Sequence, residues 1–293
     1  MAQEPPRFSI IVPTYARTKQ LSDCLQSLAR LDYPRDRFEV IIVDDGSRMP
    51  LEKVIQPVRQ HLNVTLLSQA HAGPATARNT GAAQAKGEFL AFTDDDCAPV
   101  RDWLRTLAAR FTATPDHIIG GQTLNAISGN LYSTASQILL DYLYAYYSVV
   151  PDKAFFTSNN LALAGALFHD VGGFDTTFPL AAGEDRDFCD RCLQRGYRIT
   201  FAPEVIVHHA HELTLRTFCR QHFNYGRGAV YFHQARVRRG LEGVKIEPLS
   251  FYLNLLRYPF SQVHSWRAFL LAALLVVSQK ANAAGFFWEK IRH

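Results

Sequence analysis

Cysteine is scarce and unpatterned in this chain of 293 residues. Cys24, Cys97, Cys189, Cys192 and Cys219 are too few and too scattered for a disulfide framework. Cys189 and Cys192 form one CxxC on a helix-like stretch, and no second CxxC completes a zinc site. Met1 to Arg7 holds no apolar leader core, so the expectation is a protein of the reducing cytoplasm. No dense basic run with interleaved aromatics occurs, which excludes a nucleic-acid binder. The loop after the first apolar run, Pro13 to Arg17, contains no glycine and cannot be a glycine-rich phosphate loop. Long apolar runs are missing too, with one exception. Ala268 to Trp288 carries a single charge, Lys280.

What is present is an ordinary globular composition, 47% hydrophobic and 20% charged, enough for a large core. The net charge of +4 is unevenly spread. From His209 onward there are 12 Lys and Arg against 4 Asp and Glu; the preceding part has 19 against 23. A basic tail behind an acidic first part suits an acidic ligand or a membrane surface near the tail.

Short apolar runs end repeatedly in polar residues. Phe8 to Val12 leads into Pro13, Thr14 and Tyr15; Phe38 to Val43 into Asp44 and Asp45; Phe89 to Phe92 into Asp94, Asp95 and Asp96. Such runs suit strands covered on both faces. Helical spacing lies between them, in Leu21, Leu25 and Leu28 and in the Ala-rich stretch Ala75 to Ala85, which holds Arg78 and Asn79. Alternating strand and helix implies an α/β fold with a mostly parallel sheet, and ligands bind at the carboxyl ends of its strands. Three adjacent carboxylates suit a solvated turn or a hard divalent cation; their recurrence at one sheet edge favours the cation.

Further on, Tyr132 to Val150 reads as a buried helix or an acceptor-groove wall, and Thr157 to Leu163 as a strand carrying Asn159 and Asn160. Gly183-Glu184-Asp185-Arg186-Asp187 opens a helix that ends at Arg195. Acids in a first turn suit the helix dipole, but Glu184 and Asp185 are adjacent and cannot share a face. Tyr197 to Phe201 and Val205 to Val207 read as two short strands before His208, His209 and His211. Tyr225-Gly226-Arg227-Gly228 reads as a flexible basic segment able to close over a diphosphate, or as a solvated basic helix.

Taken in order, Ile11 to Tyr15, Val43 to Ser47, Ala77-Arg78-Asn79, Phe92 to Asp96, Asn160-Leu161-Ala162, Gly172 to Asp175 and Gly183 to Asp187 resemble the family 2 glycosyltransferases of GT-A fold. The resemblance covers about residues 7–212. It implies a nucleotide-sugar half over 7–100, an acceptor half over 101–212, and a basic, apolar helical extension over 213–293. It implies a nucleotide-sugar donor, a UDP-sugar by family habit, an acceptor hydroxyl, and Mn2+ or Mg2+. Donor contacts fall on Pro13, Thr14, Tyr15, Asp44, Asp45, Arg78, Asp94 and Asp95. Metal contacts fall on Asp94 and Asp96 with His209 or His211, and a diphosphate contact on Arg227. Asn160 and Glu184 would meet the acceptor, and Asp185 would take its proton. The Gln-x-x-Arg-Trp signature of chain-extending synthases does not occur. Two other classes stay open: a non-catalytic nucleotide-sugar-binding protein and a nucleotidyltransferase. For Ala268 to Trp288 three placements stay open, namely an interfacial helix, a buried helix and a membrane span.

Overall fold

The computed structural model describes residues 4–149, 153–243 and 245–292. The strands are β1 (Phe8–Thr14), β2 (Phe38–Asp44), β3 (Val64–Ser68), β4 (Phe89–Phe92), β5 (Cys97–Pro99), β6 (His117–Asn125), β7 (Leu161–Ala164) and β8 (Arg198–His209). The helices are α1 (Thr18–Leu28), α2 (Glu52–Ile55), α3 (Pro74–Gln84), α4 (Trp103–Ala113), α5 (Leu131–Ser148), α6 (Gly165–Val171), α7 (Glu184–Gln194), α8 (Leu215–Arg238), α9 (Leu249–Gln262) and α10 (Arg267–Arg292). Val150, where the helix expected from Tyr132 ends, lies outside the described residues.

The strands form one sheet in the order β3-β2-β1-β4-β7-β6-β8-β5. β1 pairs in parallel with β2 and β4, and β2 with β3. β7 then runs antiparallel to both β4 and β6, and β5 antiparallel to β8. Every residue of β1, β2 and β4 is buried, which is why their sequences read as unbroken apolar runs. The polar exceptions are satisfied inside: Ser9 Oγ and the Lys86 backbone amide both donate to Glu39 at 2.7 Å.

Two expected elements change shape. Leu51 to His61 gives only α2 and a 3₁₀ turn over Gln56–Val58, where Pro57 occupies the first helical positions. The two short strands after Tyr197 are one twelve-residue strand, β8. Pro203 is tolerated within it because β5 pairs only with Val207, His208 and His209.

The chain divides into two compact units. Unit 1 comprises residues 1–124, 155–177 and 188–210; unit 2 comprises 125–154, 178–187 and 211–293. Their boundaries do not follow a linear cut at 212. Unit 1 carries the sheet and a core built on Phe8, Ile10, Leu25, Trp103 and Phe111. Unit 2 packs α5, α8, α9 and α10 around Phe218, Leu255, Leu271 and Leu275. Within it α8 and α10 cross at glycine. A Cβ on Gly226 would lie 1.8 Å from Asn282 O, and one on Gly285 would lie 1.9 Å from Phe223 O. Gly228 likewise admits the backbone of Ala182, whose carbonyl oxygen would be 2.3 Å from a Cβ there. Of the two readings of the segment around Gly226, the helical one holds: it is the middle of a 24-residue helix, and its buried glycines allow close packing.

Candidate active site

The carboxyl ends of β1, β2 and β4 lie side by side in the parallel part of the sheet, and their polar residues collect there. β1 ends in Thr14, whose hydroxyl donates to Asp95 Oδ2 at 2.7 Å. Pro13 is buried in the strand opposite Val43. Tyr15 leaves the strand half-exposed and stacks on His71, with ring centroids 4.3 Å apart. Ala16 then takes a left-handed conformation, φ 56°, with its amide donating to Ser47 Oγ at 2.8 Å. Strain of this kind in a non-glycine residue costs about 1–3 kcal/mol and is held by surrounding contacts. It brings Arg17 back over the acidic loop. The Arg17 guanidinium meets Asp95 Oδ1 at 3.2 Å and Asp96 Oδ2 at 2.9 Å.

Asp95 and Asp96 thus share Arg17, while Asp94 has an arginine of its own. Asp94 accepts from Arg78 Nη2 at 2.7 Å, and Arg78 also stands 5.7 Å above the Phe174 ring. The neighbouring Asn79 fixes that ring by a reciprocal pair: Nδ2 donates to Phe174 O at 2.8 Å, and Oδ1 accepts from Phe174 N at 2.9 Å. Two sequence motifs almost a hundred residues apart are locked together in this way. Asp95 is the buried member. Burial pushes its carboxyl up to about 6, partly offset by the Thr14 hydroxyl and Arg17 and reinforced by Asp96 and Asp94.

Asp96 lies beside His209, with Oδ1 3.2 Å from Nε2. Sheet register causes this pairing: Cys97 on β5 opposes His209 on β8, and Ala210 N donates to Asp96 O at 2.8 Å. Burial opposes a charge on His209, but the hydrogen bond and charge of Asp96, with Asp94 behind it, outweigh burial and raise its pKa. Asp96, Cys97 and His209 present ligand atoms within 4.8 Å of one another. A carboxylate oxygen and an imidazole nitrogen suit Mn2+ and tolerate Mg2+. Burial, and then Asp94 and Asp96, push the Cys97 thiol well up, and a soft sulfur is not the ligand that Mn2+ or Mg2+ prefers. The residues present therefore fit a divalent ion, which Asp96 and His209 would hold. Among the described residues, His211 is not part of that group; its carbonyl oxygen accepts from Ser133 Oγ in unit 2.

The acidic pair after β2 is organised otherwise. Asp44 Oδ1 accepts from Ser47 N at 2.9 Å. Asp45 is nearly buried and is taken up by the 69–73 loop. Its Oδ1 accepts from Gln69 Nε2 and Ala72 N; its Oδ2 accepts from Gly73 N and lies 2.9 Å from His71 Nδ1. Asp45, expected at the donor, thus shapes the loop that carries His71.

Asn160, expected at the acceptor, is buried and bonded at both ends of its amide. It accepts from Trp103 Nε1 and donates to Gln122 O and Val205 O, tying α4, β6 and β8. In unit 2, Glu184 is buried and Asp185 half-exposed at the first turn of α7, where Asp185 Oδ1 accepts from Arg186 N at 2.8 Å. Arg186 stacks on Tyr147 and Phe232, and the wholly buried Asp187 binds Arg239 Nη1 at 2.7 Å, so that turn is firmly held. Arg227, expected at a diphosphate, donates to the buried Glu289, which also accepts from Tyr231. Glu289 is held down to about 2 by the Arg227 bond first, with burial opposing and Tyr231 assisting.

Sequence reasoning missed Arg17 and His71. Arg17 stood in the quoted loop but carried no signal of its aim, and His71 lies outside every motif.

A mixed sheet, parallel from β3 to β4, with carboxylates at its strand ends and an Asp–His pair suited to a cation, has the architecture of a GT-A fold. The solved structures agree. A mannosyltransferase from Pyrobaculum calidifontis, in complex with GDP-Man and Mn2+, matches with TM-score 0.61 at 21% identity, over 99% of this chain and 81% of that one. Staphylococcus aureus TarS, in complex with UDP-GlcNAc, matches with TM-score 0.57 at 19% identity, over 96% of this chain and 89% of that one. The glycosyl transferase family 2 profile matches residues 9–174, and the chain belongs to that family. Among curated relatives, the pre-mycofactocin glycosyltransferase of Mycobacterium tuberculosis is 30% identical over 75% of this chain, which spans only 46% of that relative's length. Glycosyltransferase AglE of Haloferax volcanii is 27% identical over 78% of this chain and 75% of its own.

Proposed function

We propose that this chain is an inverting, metal-dependent glycosyltransferase that moves a sugar from a UDP-sugar to an acceptor hydroxyl. The observation that carries the reading is the acidic strand end of β4, whose carboxylates are met by Arg78, Arg17 and His209. Family membership favours transfer of a sugar over nucleotidyl transfer. The TarS neighbour in complex with UDP-GlcNAc supports uridine as the base; the mannosyltransferase in complex with GDP-Man marks guanosine as the competitor.

Asp96 and His209 would hold the divalent ion, which when bound stabilises negative charge on the departing diphosphate. Asp44 and the Tyr15–His71 stack would receive the nucleoside, and Arg78 holds Asp94 in place beside it. An acceptor hydroxyl is too weak an acid to attack unaided, so it needs a positioned base. Asp185 takes that proton as the hydroxyl oxygen bonds to the anomeric carbon and the carbon–diphosphate bond breaks. One displacement with one carboxylate base inverts the anomeric centre. Glu184, buried beside it, is assigned to the acceptor side of the site. The basic, apolar extension supports an acceptor at the cytoplasmic face of a membrane.

The test is a screen of nucleotide-sugars with and without Mn2+ or Mg2+. Metal-dependent release of UDP from one sugar donor is the expected result. Asp185→Asn should abolish transfer and leave UDP binding within about twofold; near-normal turnover would remove Asp185 from the role of base.

A further inference from the structure

The outer face of α10 has the wrong chemistry for water. Its inner face is buried, through Leu271, Leu275, Ser278, Gly285 and Glu289. A surface helix built this way carries polar residues opposite. Here the opposite stripe is Phe269, Val276, Phe287 and Ile291, with Lys280 in its middle, and Phe269 is 69% and Ile291 85% exposed. α9 repeats the pattern, exposing Leu249, Leu253 and Phe260 around Arg257. Phe260 and Phe269 meet edge to face, centroids 4.9 Å apart, and join the two stripes into one patch. Trp266 and Trp288, both more than half exposed, stand near the two ends of α10.

We infer that this patch of α9 and α10 is a docking surface for anionic lipid headgroups, with both helices lying along the membrane surface. Charge chooses the occupant. α9 contains no Asp or Glu, and the one acid of α10, Glu289, is buried against Arg227 and Tyr231. The exposed ions of the patch are all cations: Arg257, Arg267, Lys280, Lys290 and Arg292. A second copy of the same surface would bring cations against cations with no acid to answer them. Phosphate-bearing lipids answer them, and the long Lys280 stem lets its ammonium reach headgroup level. Tryptophans at the ends of an apolar stripe are the anchors of a membrane interface. Crossing the bilayer is disfavoured although the helix has 26 residues and holds an 18-residue stretch of mean hydropathy 1.4. It would strip the Gly226–Asn282 and Gly285–Phe223 crossings and carry the Arg227–Glu289 pair into hydrocarbon.

The inference deepens the membrane-proximal reading above and is independent of the sugar chemistry, because vesicle binding is read without donor. Full-length protein is floated with phosphatidylcholine vesicles and with vesicles containing about 30% phosphatidylglycerol, at low and high salt. At low salt it should partition into the anionic vesicles at least tenfold better, since each basic residue near such a surface contributes about fivefold. High salt should release it. Phe269→Glu with Phe287→Glu, and separately Arg257→Glu with Lys280→Glu, should each lose about tenfold or more of that binding. Both variants should keep the wild-type circular dichroism and donor hydrolysis. Failure of the wild type to bind anionic vesicles would overturn the proposal. So would a wild-type dimer that the Phe269→Glu, Phe287→Glu variant dissociates, or membrane protein released only by detergent. Lost docking with intact metal-dependent hydrolysis would sink this inference alone; lost hydrolysis with intact docking would sink only the transferase reading.

Discussion

Two acidic strand ends lie in one sheet, and they are neutralised by different means. After β2, the carboxylate of Asp45 is met by the backbone amides of Ala72 and Gly73 and by Gln69 and His71. After β4, the carboxylates are met by the guanidinium groups of Arg17 and Arg78 and by the His209 imidazole. Backbone amides are fixed by the fold, so an acid they hold is a structural part. Side-chain cations can yield their place, so an acid they hold remains available to another cation. The comparison therefore separates Asp45 from Asp96 although both are acids at strand ends.

Substituting each acid breaks the comparison if it is wrong. Asp96→Ala should cost about a thousandfold in donor turnover, since a bound metal supplies several kcal/mol and each 1.4 kcal/mol is a factor of ten. Its melting temperature should stay near the wild-type value, and a collapse in stability would class Asp96 with Asp45. Asp45→Ala should do the reverse. It leaves two amide donors without their charged acceptor, at about 2–3 kcal/mol, or a fall of about 5–10 °C in Tm. Thermal melts followed by circular dichroism decide the matter, with metal-dependent UDP release measured alongside.

The sequence disclosed these two strand ends equally well, and could not tell them apart. Buried strands such as β1, β2 and β4 announce themselves as apolar runs because both faces are covered. The residues that distinguish the acids lie elsewhere in the chain. The amides that hold Asp45 come from a loop some 27 residues on, and His209 reaches Asp96 only through the antiparallel pairing of β5 with β8. Glycine was ambiguous for a similar reason. Gly226 and Gly228 read as flexibility in the sequence, and only the α8–α10 crossing and the approach of Ala182 show that they make room. Asn160 likewise looked like a ligand because its amide partners, Trp103, Gln122 and Val205, lie on three distant elements.

A buried titratable group with neither kind of neutralisation sharpens the same comparison. His222 on α8 sits against the Phe218 ring and 3.3 Å from Ser136 Oγ. Burial, and then the charge of His211, lower its pKa from 6.5 to about 4. The folded form therefore binds fewer protons than the unfolded chain between those values. The stability this contributes is fully present above pH 6.5 and is lost as pH falls through about 4. At roughly 1.4 kcal/mol per unit, a loss of a few kcal/mol is expected. Melting temperatures between pH 7 and pH 4.5 should fall more steeply for the wild type than for His222→Gln; equal slopes would mean His222 is already solvated.

Arg17 is the smallest and most discriminating case, because it is the cation that a metal ion would meet at Asp96. Its side chain is about half exposed, so its pairing is weak and screened, worth at most about 1 kcal/mol. If side-chain cations at this strand end do yield to another cation, removing one should ease binding. Arg17→Ala should then bind Mn2+ up to about fivefold more tightly, read from the free-ion signal in an electron paramagnetic resonance titration without donor. Weaker binding in the variant would show that Arg17 holds Asp95 and Asp96 in place, as the loop amides hold Asp45. The distinction between the two strand ends would then lie in the identity of the donor groups, and no longer in whether they can leave.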